Sequence, residues 1–245
     1  MFGWFKKKAP EPQELQQADA LEDEVREGPG GEDALAAYAA LTELAAAHPE
    51  FPDIRRLLAN AAVNLVRRCI HEKLEEDRAV VAQIETLAAD HPDEAILRAC
   101  LMHLIWEYAA RVPRDDTDQL RELYHRQRSL YRTHEDVRAH ASPMVKTATK
   151  LMGGHLIKAN IATARELHVE IAALAQRHPD DSEVQRDRAG SSLNLISRLV
   201  TVDDMGAEEY ELGKTYLEEL EDFAARFPQN SSVQDMLAQA REYFG

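Results

Sequence analysis

Residues 161–180 read IATARELHVEIAALAQRHPD. Counting back from Pro179 by 5, 8 and 12 gives Leu174, Ile171 and Leu167, three apolar side chains on one face of a helix. The proline then stops that helix, because it drives the preceding residue out of the α region. The same stop recurs as His48-Pro49, His91-Pro92 and Phe227-Pro228, and without proline as His134-Glu135. Successive landmarks are 43, 43, 44 and 49 residues apart. The same offsets carry Leu44, Leu41 and Ala37, then Leu87, Ile84 and Val80, then Phe223, Leu220 and Tyr216.

A second helix is predicted after each landmark. Residues 54–70 carry a wide apolar stripe of Ile54, Leu57, Leu58, Ala61, Ala62, Leu65 and Cys69. Residues 95–110, 143–157, 183–201 and 232–244 play the same part. The third repeat is irregular: its second helix is predicted to start at Ser142-Pro143, and Gly153-Gly154 to break or kink the chain. No alternating apolar run long enough for a strand is present. A period this regular predicts an all-α protein over residues 33–245, a right-handed α-solenoid of helix-turn-helix repeats about 43 residues long.

This pattern resembles the tetratricopeptide family, in particular its long-period, kinesin-light-chain-like variants. The likeness rests on the helix-ending Pro, the apolar residues at the three offsets and the second helix after "HPD" or "HPE". The family's aromatic and glycine signature is missing; Ala59 and Ala189 stand where that Gly would be. The resemblance implies a concave groove, lined by the helix after each Pro, that receives an extended peptide or a partner helix. It places Arg56, Asn60 and Asn64 in the groove, with Arg186, Gly190 and Asn194 at the same offsets in the fourth repeat. Arg56 and Asn60 match the first two members of the family's carboxylate clamp, and Cys100 stands where an Asn would follow.

The 245 residues hold 29 Lys+Arg and 44 Asp+Glu, a net charge of −15. An acidic chain does not favour nucleic acid, whose binding rests on neutralising phosphates. Eight acids within residues 9–32 predict a disordered acidic tail over residues 1–32. Its tip, Phe2, Trp4 and Phe5 beside Lys6, Lys7 and Lys8, would make at most a weak contact with an anionic membrane surface. Aromatics ahead of lysines reverse a signal peptide, and no apolar run reaches the roughly 18 residues of a membrane helix. Cys69 and Cys100, each inside an apolar helical pattern, read as reduced, buried cysteines of a cytoplasmic protein.

No catalytic or metal set stands out, so no enzyme and no cofactor are expected. The landmark histidines read as helix C-terminal residues that complement the dipole. His134 and His140 are six apart, not the four a zincin helix needs. His103 and Glu107 lie four apart beside Trp106, either as a groove pair or as an ordinary helix-surface pair, with Trp106 an anchor for one apolar side chain. Residues 111–168 are locally basic, with 11 Lys+Arg against 7 Asp+Glu. Arg128 and Arg132 on one helix, and Lys146 and Lys150 on the next, would steer an acidic partner. The function expected is a non-enzymatic module binding a peptide or helix of another protein. The rival is an acidic inhibitor or immunity-type protein that covers a basic toxin or enzyme, using Glu208, Glu209 and Glu211.

Overall fold

The computed structural model describes residues 12–70, 73–200 and 206–244. The fold is all-α, 84% helical, with no strand among the described residues. It divides after Tyr108 into two compact units.

The first unit holds α1 (Gln13–Glu27), α2 (Gly31–Ala47), α3 (Pro52–Arg67), α4 (Leu74–Asp90) and most of α5 (Ala95–Arg111). α1 packs on α2 and α3, and α3 on α2 and α4. Leu41, Ile54, Leu65, Ile84, Leu101 and Ile105 are fully buried. The second unit holds α6 (Thr117–Thr133), a 3-10 segment (Glu135–His140), α7 (Ala141–Ile157), α8 (Ile161–Arg177), α9 (Ser182–Val200), α10 (Ala207–Arg226) and α11 (Ser231–Glu242). Here α9 is central, packed against α7, α8, α10 and α11. Ten of the twelve residues at the three offsets are buried, and Leu44 and Leu87 are half-buried.

The landmarks are one repeated device. His48, His91, His178 and Phe227 end their helices with φ of −126°, −124°, −125° and −124° and ψ of 61°, 66°, 60° and 55°. Each cap carbonyl accepts a hydrogen bond from the N–H three residues on, at Phe51, Glu94, Asp181 and Asn230. Six residues after each Pro, a long polar side chain reaches back to the helix end. Arg55 and Arg98 donate to the Pro49 and Pro92 carbonyls. Gln185 donates to Ala175 and His178, and Gln234 to Ala224 and Phe227. The last carbonyls of a helix have no partner within it; Gln185 and Gln234 supply one, while Arg55 and Arg98 brace the turn just after the helix. His134 lacks the Pro, takes ψ of 116° and leads into the 3-10 segment instead.

Four expectations are corrected. Residues 13–27 of the expected disordered tail form α1, because Ala18, Glu22 and Val25 share one buried face against α2 and α3. Arg68 also takes the Val25 and Gly28 carbonyls at the end of α1. Cys69 is exposed, not buried. α3 has ended, and Cys69 turns the chain at φ 52°, a left-handed position that usually falls to Gly or Asn. α7 starts at Ala141, with Ser142 and Pro143 inside its first turn. Finally, Gly153 and Gly154 leave α7 unbroken. A Cβ at Gly154 would stand 2.2 Å from the Arg114 carbonyl oxygen, so this glycine permits a close backbone approach. The Phe2–Lys8 tip lies outside the described residues. No helix among those described is long and apolar enough to cross a membrane.

Candidate functional site

In the first unit, the residues predicted to line a groove stand on α3 and α5, and most are engaged within the protein. Arg56 pairs with Asp53 at 3.5 Å. The Asn60 side-chain oxygen accepts from the Cys100 thiol at 3.2 Å. Burial pushes that thiol up to about 11, against the pull of Arg56, so it stays protonated and unreactive. Asn64 donates to Glu22 of α1 at 3.0 Å. Glu107 accepts from Arg67 at 2.8 Å, and His103 and Trp106 are half-buried on α5.

In the second unit, the basic residues are also largely committed. Arg128 pairs with Glu170 at 2.8 Å, while Arg132 is exposed. Lys146 donates to Glu183 at 2.8 Å, and the Ser142 hydroxyl donates to the same carboxylate oxygen at 2.7 Å. Lys150 donates to the Ala109 and Ala110 carbonyls at 2.9 and 2.6 Å, and burial draws its pKa down. Arg186 lies 3.4 Å from Asp187, whose carboxyl burial raises to about 6. Asn194 is exposed on the same helix, α9. Lys146 and Arg186 are thus brought together on the α7–α9 face, around Glu183 and Asp187.

A cavity lies elsewhere in this unit. A cleft of about 1000 Å³ runs between α8 and α10, the helices that precede two landmarks. Its apolar walls include Val169, Ala172 and Ala173 of α8 and Phe223 of α10. Val169 is 66% exposed. His168, Arg188 and Glu219 line the cleft and bear on one another. Arg188, buried on α9, reaches Glu219 Oε2 at 3.3 Å, bonds Ser192 and stands 5.7 Å from the centre of the Phe223 ring. His168 Nε2 stands 3.5 Å from the same Oε2, and its Nδ1 is 3.0 Å from Ser191 Oγ. Burial lowers the His168 pKa, and the facing His168 and Arg188 hold the Glu219 carboxyl below its usual range. The Glu219 carboxylate is therefore ionised near neutral pH.

A serine, a histidine and a glutamate in series have the composition of a hydrolase triad. Ser191, however, is fully buried, does not line the cleft and gives its hydroxyl to the Arg188 carbonyl at 2.7 Å. The set orients a carboxylate and presents no nucleophile.

This site was legible in one respect. Eleven residues before the landmarks, Tyr38, Tyr124 and His168 occupy the same offset, and nine before stand Gln83, Glu170 and Glu219. Tyr38 donates to Gln83 at 2.9 Å, Tyr124 donates to Glu170, and His168 faces Glu219. The cleft opens at the histidine rung, where the landmark spacing is also longest. Comparison with protein-family models, with characterised proteins and with solved structures finds no match for this chain.

Proposed function

We propose that this chain is a non-enzymatic interaction module of the cytoplasm, a right-handed tetratricopeptide-like solenoid with a repeat of about 43 residues. It holds an extended or helical segment of another protein in the cleft between α8 and α10. The observation that carries this reading is the cleft itself: about 1000 Å³, with apolar residues on both walls and an oriented carboxylate between them. Binding sites are typically concave and mostly apolar, with a few placed polar groups. The basic side chains expected to attract an acidic partner are mostly taken up by Glu170, Glu183 and backbone carbonyls, so the α7–α9 face has little free positive charge for such a partner.

The test compares partner capture by the full chain with that by Ala173→Trp, which fills the cleft, and Asn194→Ala on α9. Loss of a stoichiometric partner with Ala173→Trp alone is the expected result. Loss with Asn194→Ala alone would move the site to the α7–α9 face. Retention by both, with loss on charge reversal of Glu208, Glu209 and Glu211, would favour the acidic inhibitor.

A further inference from the structure

The two carboxylates in equivalent rungs are used differently. Glu170 spends both oxygens, Oε2 on Tyr124 and Oε1 on Arg128. Glu219 receives His168 and Arg188 on Oε2 alone, leaving Oε1 without a partner among the described residues, and its side chain is 45% exposed. The guanidinium groups of the cleft each have an internal contact. Arg165 donates to the Tyr216 hydroxyl at 3.2 Å, Arg226 to the Asp222 backbone carbonyl at 3.3 Å, and Arg188 to Ser192 and Glu219. The side-chain carboxylates of Glu166 and Asp222, exposed at the cleft, have none among the described residues. The lining carries three arginines and three carboxylates, and of the carboxylates Glu219 is the one held in place by a buried arginine while keeping an oxygen open.

We propose that the cleft between α8 and α10 takes a lysine or arginine side chain of the bound segment, its cationic head on Glu219 Oε1 and its aliphatic stem between Val169, Ala172 and Ala173 on one wall and Phe223 on the other. This rests on the reading of the cleft as a partner site. The chemistry is that of a long basic side chain, which buries an apolar stem while its head meets a carboxylate. Arg188 and His168 preorganise the acceptor, so the incoming cation does not itself have to order Glu219.

The experiment pans a random dodecapeptide display library against the immobilised full-length protein, then measures the best binder by fluorescence anisotropy. Enriched peptides are expected to share one Lys or Arg. Replacing it by norleucine or citrulline should weaken binding at least tenfold, with the protein unaltered. Glu219→Gln should weaken the parent peptide as much, and the neutral peptide no further; circular dichroism verifies the fold of the variant. Peptides blocked by Ala173→Trp yet indifferent to loss of their cation would overturn this proposal and leave the cleft as a partner site. Enrichment of acidic peptides in the cleft would overturn it too. Peptides that bind Ala173→Trp as tightly as wild type, or no enrichment at all, would overturn the cleft reading itself.

Discussion

The rung between Tyr124 and Glu170 and the rung between His168 and Glu219 join the same offsets of the first helices of successive repeats, yet one is closed and the other lies open in a cleft. In the first, a phenol hydroxyl and Arg128 consume both oxygens of the carboxylate. In the second, the ring nitrogen and a buried arginine converge on a single oxygen. The polar contact in an open rung can serve a ligand because the fold has not used it up. A closed rung is worth its stability and little else.

The comparison can be broken most severely at Arg188. Arg188→Met strips a buried charge from Glu219 and a donor from Ser192. Breaking a buried pair by removing one partner is strongly destabilising, and half-exposure of Glu219 moderates the loss, to about 2–3 kcal/mol. Urea denaturation checks this. Arg128→Met, at a more exposed pair, is expected to cost under about 1 kcal/mol. Equal losses would mean that the two rungs are energetically alike.

His168→Tyr puts the phenol of the closed rung beside Glu219. It is expected to preserve helicity and to weaken a cleft peptide less than Glu219→Gln does, because the phenol takes the place of His168 on Oε2 and Oε1 stays open. Anisotropy against the same peptide tests it. The reciprocal change is milder: Tyr124→Phe removes one hydrogen bond and should cost about 1 kcal/mol.

The smallest effect is a pH dependence. Burial lowers the His168 pKa below its ordinary 6.5, so the folded state binds fewer protons there than the unfolded one. That contribution to stability is present above 6.5 and is lost as the pH falls below it. Asp187, raised to about 6, works in the opposite direction, since the folded state binds its proton more readily as the pH falls. The readout is therefore a difference: between pH 7.5 and 5.5 wild type should lose more melting temperature than His168→Gln. Parallel losses would show that the imidazole is not held neutral.

Much of the helical fold could be read from the chain. The residues at −5, −8 and −12 from each landmark became the buried faces of α2, α4, α8 and α10. The second helices followed, because a proline-terminated helix and a periodic apolar stripe are local signals. The candidate site was less legible. Asn60 and Asn64 stand on α3, as expected of a helix after the first landmark, but Cys100 and Glu22 claim their side chains. Those partners lie about 40 residues away in sequence, and no spacing announces them. α1 was missed because its burial rests on Ala18, Val25 and a glutamate, too little apolar surface to outweigh eight nearby acids in a reading by composition.

Proline sterics and apolar periodicity over a few turns set where α2, α4, α8 and α10 stop and which of their faces turns inward. Only the tertiary structure decided which polar groups are spent and which are left. Arg55, Arg98, Gln185 and Gln234 look like surface residues in the chain and become supports for helix ends or the turns just after them. Glycines at 153 and 154 look like a break, and the second of them is a contact with the 114 carbonyl. Whether a carboxylate is closed like Glu170 or open like Glu219 depends on what a neighbouring helix brings within 3.5 Å, a distance that exists only once the helices have packed.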